Sequence, residues 1–294
     1  MSDQGAVFDL GYVPHDGPRL GRPAAIKATI RDGLRRVLGL RRRARKKVMP
    51  WLLITISILP AVGVVGFLFL TSTLTSADLT DTPFASHAAY FDIVAGPALL
   101  FCAFAAPALL IIDREDGVLS VYSSRPLSTY DYLGARSGAL ALVVIGFMVL
   151  PQTLLYFGFA SLGSDGFARS LADGGGDYLR SLAASGVYAV AFGAPALLVA
   201  TYARRVGVAT GVYLGIMFGA GIFPDVLVET GNNWGGWLAI GDHPTVVRDW
   251  LFGRSGAASI PANAGLEWWA SPIVIVVIVA GTAVLANRRY RSLM

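Results

Sequence analysis

The chain is poor in charged residues, cysteine and lysine. Charged residues make up 15% of its 294 positions, whereas a soluble domain has about a quarter. The single cysteine, Cys102, lies in an apolar run, so an internal disulfide is excluded and the lone thiol has no metal-binding pattern. None of the three lysines, Lys27, Lys46 and Lys47, follows a glycine, which excludes a phosphate-binding loop of the G-x-x-x-x-G-K-[ST] type.

Histidine is equally scarce, and its positions do not indicate a metal site. His15, His87 and His243 are far apart in the chain, without the short spacings of zinc ligands. Serine, histidine and aspartate occur without the motif of a nucleophilic enzyme. We therefore expect a chain that is not itself an enzyme and that binds no cofactor.

Long apolar runs, by contrast, dominate the sequence. Hydrophobic residues make up 54% of the chain. A helix needs about 20 apolar residues to cross a hydrocarbon core of about 30 Å, and in lipid the backbone must satisfy its own hydrogen bonds. The pattern predicts an all-α membrane protein with six transmembrane helices. The predicted spans are 49–71, 91–112, 137–162, 181–203, 206–228 and 270–287.

These spans contain no Asp, Glu, Lys, Arg or His between their ends; Asp92 and Asp225 lie at the margins. Transporters driven by ions or protons usually bury ionisable side chains as relay or binding groups. The spans therefore indicate an apolar path without an energy source of its own.

The distribution of Lys and Arg predicts the orientation of the spans. If both termini are cytoplasmic, twenty of the 24 basic residues lie on that side. The remaining four are Arg169, Arg180, Arg248 and Arg254. The net charge of +5 is then a signal of topology and of lipid contact, and it does not indicate binding to nucleic acid.

Two further helices are expected outside the spans. The pattern of residues 24–48 predicts a basic amphipathic helix that lies along the inner leaflet. An irregular segment at 1–23 precedes this helix, and the transmembrane domain at 49–290 follows it. A flexible basic arm is the alternative. The apolar stripe of this interfacial helix is Ile26, Ile30, Leu34 and Leu38. Before the last span, the segment DHPTVVRDWLFG predicts a short outer helix, with Asp242 or His243 as its cap. A surface loop is the alternative.

The loop between the second and third spans has the pattern of a docking helix. A charged cluster comes first, Gly117 breaks it, and an apolar patch follows at helical spacing. Ser128 and Asp131 predict a capping box that begins the next helix. A solvated loop whose charges only follow topology is the alternative. The docking residues are Asp113, Arg114, Glu115, Asp116, Gly117, Val118, Leu119, Tyr122 and Arg125, of which Val118, Leu119 and Tyr122 form the apolar patch.

This same loop, DREDGVLSVYSSRPLSTYDYLGAR at 113–136, resembles the ABC-2 type permease family, the membrane subunits of one class of ATP-binding cassette transporter. Members typically show an acidic residue followed by Gly and Leu, then Pro-Leu-Ser, then Tyr-Leu-Gly before the third span. Arg136 stands where members often have Lys. The layout of helices over 25–290 also fits the family. The matching residues are Glu115, Gly117, Leu119, Pro126, Leu127, Ser128, Tyr132, Leu133 and Gly134.

The resemblance implies a permease subunit in the plasma membrane of a prokaryotic-type cell. Residues 113–125 would be the coupling helix, held in a groove of a separate ATPase subunit that binds ATP and Mg²⁺. The other implied partners are a second copy or a homologous permease, and membrane lipid. The implied function is export of an amphipathic or apolar compound. A self-sufficient channel or facilitator, which would need polar residues along a pore, and a membrane scaffold without transport are the alternatives.

Overall fold

The computed structural model describes residues 21–40, 47–75, 86–124, 126–163, 166–254 and 259–293. These described parts form α-helices and one 3₁₀ helix, Asn233–Leu238, and they contain no strand. The α-helices are α1 (Gly21–Val37), α2 (Val48–Thr75), α3 (His87–Glu115), α4 (Leu119–Ser123), α5 (Thr129–Leu162), α6 (Phe167–Tyr202), α7 (Val206–Glu229), α8 (His243–Leu251), α9 (Ile260–Asn263) and α10 (Ala270–Arg291).

Six of these helices are long and apolar enough to cross a membrane: α2, α3, α5, α6, α7 and α10. Large apolar side chains such as Leu59, Phe67 and Ile222 are exposed on the outside of the bundle, where a soluble protein would place polar groups. The predicted all-helical fold with six apolar spans is confirmed, and the chain is a multi-pass membrane protein.

The spans run alternately between two ends of the bundle. The basic end holds α1, α4 and the last turn of α10, and the opposite end holds α8, α9 and the 3₁₀ helix. Helices α3, α5 and α6 pack against one another in the middle, while α2 and α7 lie outside them. The buried core therefore belongs mainly to the three central helices.

A capping box begins α5, as the sequence predicts. The Ser128 hydroxyl accepts a hydrogen bond from the Asp131 backbone N–H at 3.2 Å, and the Asp131 carboxylate accepts one from the Ser128 N–H at 2.9 Å. The reciprocal bonds satisfy two donors that a helix start would leave unpaired. Helix α5 therefore begins at Thr129, well before its apolar span at 137.

Helix α6 also begins earlier than its predicted span, at Phe167 instead of residue 181. The added turns contain Gly174–Gly175–Gly176, which by itself disfavours a helix. Tyr156 of α5 supports them, because its hydroxyl donates to the Leu171 carbonyl at 2.7 Å and its ring stacks on Tyr178 at 4.6 Å. Tertiary contacts thus overcome the low helix propensity of the glycines.

Helix α1 is shorter than the predicted 24–48 and packs differently from the expectation. It ends at Val37, and residues 41–46 lie outside the described part of the chain. Its buried stripe is Thr29, Gly33 and Val37, one position before the predicted stripe. Leu34 and Leu38 pack against the core of the bundle, and Ile26 and Ile30 are only partly buried.

Gly33 explains why α1 lies so close to the bundle. A Cβ atom at this position would be 2.7 Å from the Cβ of Ala139 in α5, which is closer than two non-bonded carbon atoms can approach. The predicted stripe therefore flanks a helix–helix contact and is not the face on which the helix is mainly buried.

Helix α8 is present where a short helix was predicted, with a different role for Asp242. Asp242 is the N-cap residue, but its carboxylate accepts a hydrogen bond from the Ile260 N–H at 3.0 Å and none from α8. Val246 and Val247 are buried, and the exposed Trp250 stacks on Trp268 at 4.3 Å. The carboxylate thus links α8 to α9.

Replacement of Gly33 by leucine should loosen α1. Gly33→Leu forces α1 away from α5, and overpacking of this kind costs about 1–3 kcal/mol. Thermal unfolding in detergent measures the effect. The matched control is Ala28→Leu, on the exposed face of the same helix, which should change the midpoint little. Equal midpoints for the two variants would contradict the close contact.

Stability should fall as the pH falls below about 6.5, and His243 should contribute to the loss. Its ring is buried, with Nδ1 3.0 Å from the Ser271 hydroxyl and Nε2 3.3 Å from the Trp237 carbonyl, and burial lowers its pKa. The unfolded chain then takes up the proton first, so acid favours unfolding. His243→Gln should unfold with a weaker dependence on pH between 7 and 5; an unchanged dependence would exclude His243 as the cause.

Candidate functional site

The predicted docking segment begins with a buried acid at the basic end. Asp113, near the end of α3, has no exposed surface. Its carboxylate accepts four hydrogen bonds: from Arg36 Nη1 at 2.6 Å, from Arg136 Nε and Nη2 at 3.1 and 2.7 Å, and from the Tyr132 hydroxyl at 2.7 Å. A buried carboxylate is tolerated only when it is paired and hydrogen-bonded in this way.

A second acid completes the cluster. Asp32 Oδ2 lies 2.9 Å from Arg136 Nη1 and 3.1 Å from Arg36 Nη2, and it is 48% exposed. Asp32, Arg36, Asp113 and Arg136, here called the ion network, contain two negative and two positive charges. The network is therefore neutral, and it joins α1, α3 and α5.

Tyrosines surround the ion network. The Tyr122 hydroxyl of α4 accepts a hydrogen bond from Arg136 Nη2 at 3.0 Å, and burial raises the pKa of this hydroxyl. The rings of Tyr122 and Tyr290 lie 5.3 and 5.6 Å from that of Tyr132, which brings α4 and α10 against the same cluster. The rings pack beside Asp113 and Arg136, both of which are fully buried, and the low local dielectric strengthens the interaction of this pair.

Arg114 connects the same turn to the end of α6. Its guanidinium donates to the carbonyl oxygens of Ala200, Thr201 and Ala203, the last at 2.8 Å. Helix α6 ends at Tyr202, so Arg114 satisfies carbonyls that the helix leaves unpaired and places a positive charge at its negative end. Arg114 is therefore a structural contact and is not part of a free charged surface.

The exposed part of the turn is small. Glu115, Asp116, Gly117, Ser120 and Val121 face outward and are here called the docking face; Val121 is 52% exposed. Gly117 has φ of +65°, a conformation that glycine adopts readily and most residues do not. The chain therefore turns between α3 and α4 and presents two acids beside one apolar side chain.

The predicted apolar patch faces inward. Leu119 is 7% exposed and belongs to the core, Tyr122 binds Arg136, and Val118 is partly buried. These side chains anchor α4 to the bundle, and Val121 is the apolar side chain that projects outward. Arg125, the last predicted docking residue, lies outside the described residues.

Sequence reasoning assigned no site role to Asp32, Arg36, Tyr132 or Arg136. Asp32 offered a signal, because it is the one acid within the basic segment 24–48. Arg136, which the sequence showed as a basic residue of the loop and as the position where ABC-2 permeases often have Lys, is fully buried in the first turns of α5. Only the approach of α1 to α5 shows that these residues share one cluster.

The opposite end holds polar residues in separate groups. His87 Nδ1 lies 2.6 Å from Gln152 Oε1, and Arg248 pairs with Asp92 and Asp249. Within the described ranges, no three His, Cys, Asp or Glu side chains come together as metal ligands. The basic end therefore offers the larger connected arrangement, and it contains the candidate site.

The neutral charge balance gives a test of the ion network. Asp113→Asn keeps the shape of the side chain but leaves two arginines with one acid, and breaking a buried pair costs about 3–5 kcal/mol. Chemical unfolding in detergent measures the loss. The control is Glu115→Gln, two residues away and exposed, which should stay within about 0.5 kcal/mol of the wild type. A stable Asp113→Asn variant would show that the network does not hold the turn.

Comparison with known proteins supplies no assignment for this site. No protein-family model matches the chain, and no curated protein matches it. The geometry of the basic end, with its buried ion network and small docking face, and the resemblance of segment 113–136 are the observations from which a function is inferred.

Proposed function

We propose that the chain is the permease subunit of an ATP-binding cassette transporter, and that its docking face binds a separate ATPase subunit. One observation carries this proposal. The α3–α4 turn exposes Glu115, Asp116 and Val121, while Asp113 before them and Leu119 between Asp116 and Val121 are buried in the bundle. A turn that only connected two spans would not need buried side chains such as Asp113 and Leu119 to hold it against the bundle.

The anchors suggest how a partner's motion could reach the membrane. Asp113 binds arginines of α1 and α5, Arg114 binds the end of α6, and Tyr290 brings α10 against Tyr132. When ATP brings two ATPases together, a displacement of α4 would move these helices with it. We infer that α1, α3, α5, α6 and α10 shift together, because packed cores and ion pairs transmit displacement and do not absorb it.

The charge distribution supports an external energy source. No Asp, Glu, Lys, Arg or His side chain lies in the middle of a predicted span, so coupling to ions or protons lacks the buried relay groups that it usually needs. The chain also lacks a phosphate-binding loop, so ATP and Mg²⁺ would be bound by the partner. Export of an amphipathic or apolar compound would suit the apolar spans, and the direction of transport comes from the family resemblance.

Helices α2 and α7 leave room for a second permease. In their most apolar stretches only 22% and 17% of residues are buried, compared with 56% and 61% in α3 and α6. We propose that a second copy or a homologous permease covers part of these two helices and that lipid covers the rest. Twenty basic residues lie on the side of the termini and four on the opposite side. This bias supports a topology in which both termini and the docking face lie on the cytoplasmic side of the plasma membrane.

The test is purification of the tagged chain from its native membrane in mild detergent, followed by mass spectrometry of the proteins that copurify. An ATP-binding cassette ATPase at about one copy per permease is the expected result. A pure homo-oligomer without an ATPase would contradict the proposal and favour a channel, a facilitator or a scaffold.

Two substitutions in the docking face should separate ATPase binding from folding. Glu115→Ala removes an exposed charge, and Gly117→Pro replaces a residue at φ of +65° by one fixed near −65°. Each should lower the recovered ATPase, or ATPase stimulation in the complex, by about tenfold, as a loss of about 1.4 kcal/mol would. Membrane insertion should be unchanged.

The control is Glu267→Ala, an exposed acid at the opposite end. It should recover the ATPase at the wild-type level. If Glu115→Ala and Gly117→Pro also recovered it fully, the docking face would have no role in coupling.

A further inference from the structure

A large groove opens between α5, α6 and α10, and no residue of the docking face lines it. Its volume is about 700 Å³. Small residues line it, so the helices leave a gap that larger side chains would fill; examples are Gly134, Gly138, Gly193, Ala194 and Ala283. Val190 of α6 and Val284 of α10 line it and are exposed, so the groove opens on the outer surface of the bundle, where membrane lipid lies.

A residue that lines the groove has a buried polar atom without a hydrogen-bond partner among the described residues. Asn287 of α10 is 7% exposed and lines the groove, and its Oδ1 accepts no hydrogen bond within the described part of the chain. A buried amide oxygen without a donor is costly, and native proteins rarely leave one. The atom therefore indicates a ligand that brings a hydrogen-bond donor, such as a hydroxyl group.

The end of the groove near Asn287 is cationic. Arg288 and Arg291 line it, and the described residues give neither of them an acidic partner. Arg291 Nη2 donates to the Tyr130 hydroxyl at 3.0 Å, and its guanidinium lies 5.3 Å from the Tyr130 ring. Asp131, the acid next to Tyr130 in the chain, is paired with Arg22 at 2.8 Å. Two positive charges thus remain for an anion.

We propose that this groove binds one anionic phospholipid whose headgroup carries a hydroxyl. The acyl chain lies along the small residues of α5 and α6, the phosphate lies between Arg288 and Arg291, and the headgroup hydroxyl donates to Asn287 Oδ1. Apolar walls, a cationic end and an unpaired acceptor occur together, and they match the three parts of such a lipid. The site needs only that the six helices lie in a membrane, so it does not depend on the permease proposal.

The phosphate contact is tested on the purified chain in detergent, with added phosphatidylglycerol and native mass spectrometry. The double variant Arg288→Ala, Arg291→Ala should bind this lipid about tenfold more weakly. The control is Arg289→Ala, an exposed neighbour that does not line the groove, and it should stay within about twofold. An equal loss in the control would mean that general positive charge attracts the lipid, and it would overturn the site.

The acyl-chain contact is tested by filling the groove. A Cβ added at Gly138, which lines the groove, or at Gly146 of the same helix, which does not, would meet no atom within 4 Å. Gly138→Leu should abolish most of the lipid binding, and Gly146→Leu should keep it. Gly134→Leu fills the same groove if Gly138→Leu does not fold. If the variants with a leucine in the groove bound the lipid as the wild type does, the proposal would be overturned.

Two further comparisons identify the ligand. Phosphatidylglycerol should bind more tightly than phosphatidylmethanol, which has the same charge and no headgroup hydroxyl, and Asn287→Leu should remove the difference. Equal affinities in the wild type would overturn the role of Asn287. Excess inorganic phosphate should not displace the lipid; full displacement would show a site for free anions and not for a lipid.

Discussion

A single carboxylate, that of Asp113, determines how the basic end of this bundle is built. An ionised acid without exposed surface needs opposite charge and hydrogen bonds on every side. The chain supplies them from two other helices, because Arg36 comes from α1 while Tyr132 and Arg136 come from α5. Helix α1 must therefore lie against α3 and α5, and Gly33 permits the close approach that this requires.

The same constraint divides the charged turn into two parts with different roles. Asp113 and Arg114 face the bundle and satisfy its charges and the carbonyls at the end of α6. Glu115 at the end of α3, Asp116 in the turn and Val121 on α4 face outward, and Leu119 anchors α4 to the bundle. A partner can therefore meet only a small surface, but that surface is attached directly to α1, α5 and α6. This combination is the physical basis of the coupling role that we propose.

Several features were predictable because they depend on local patterns. The six apolar spans follow from composition over about 20 residues, and the capping box at Ser128 follows from two residues three positions apart. The inward position of Leu119 and Tyr122 was not predictable, because helical spacing shows that residues share a face but not which way that face points. The extension of α6 through three glycines likewise depends on Tyr156, a residue of another helix.

The sequence by itself determined that this is a helical membrane protein, since apolar length and the absence of charge within the spans are properties of the chain alone. It also located the turn that became the candidate site. Only the tertiary structure decided which charges of that turn are buried and which are available. Ion pairs such as Arg36 with Asp113 join residues 77 positions apart, and only the packing of α1 on the bundle brings them together.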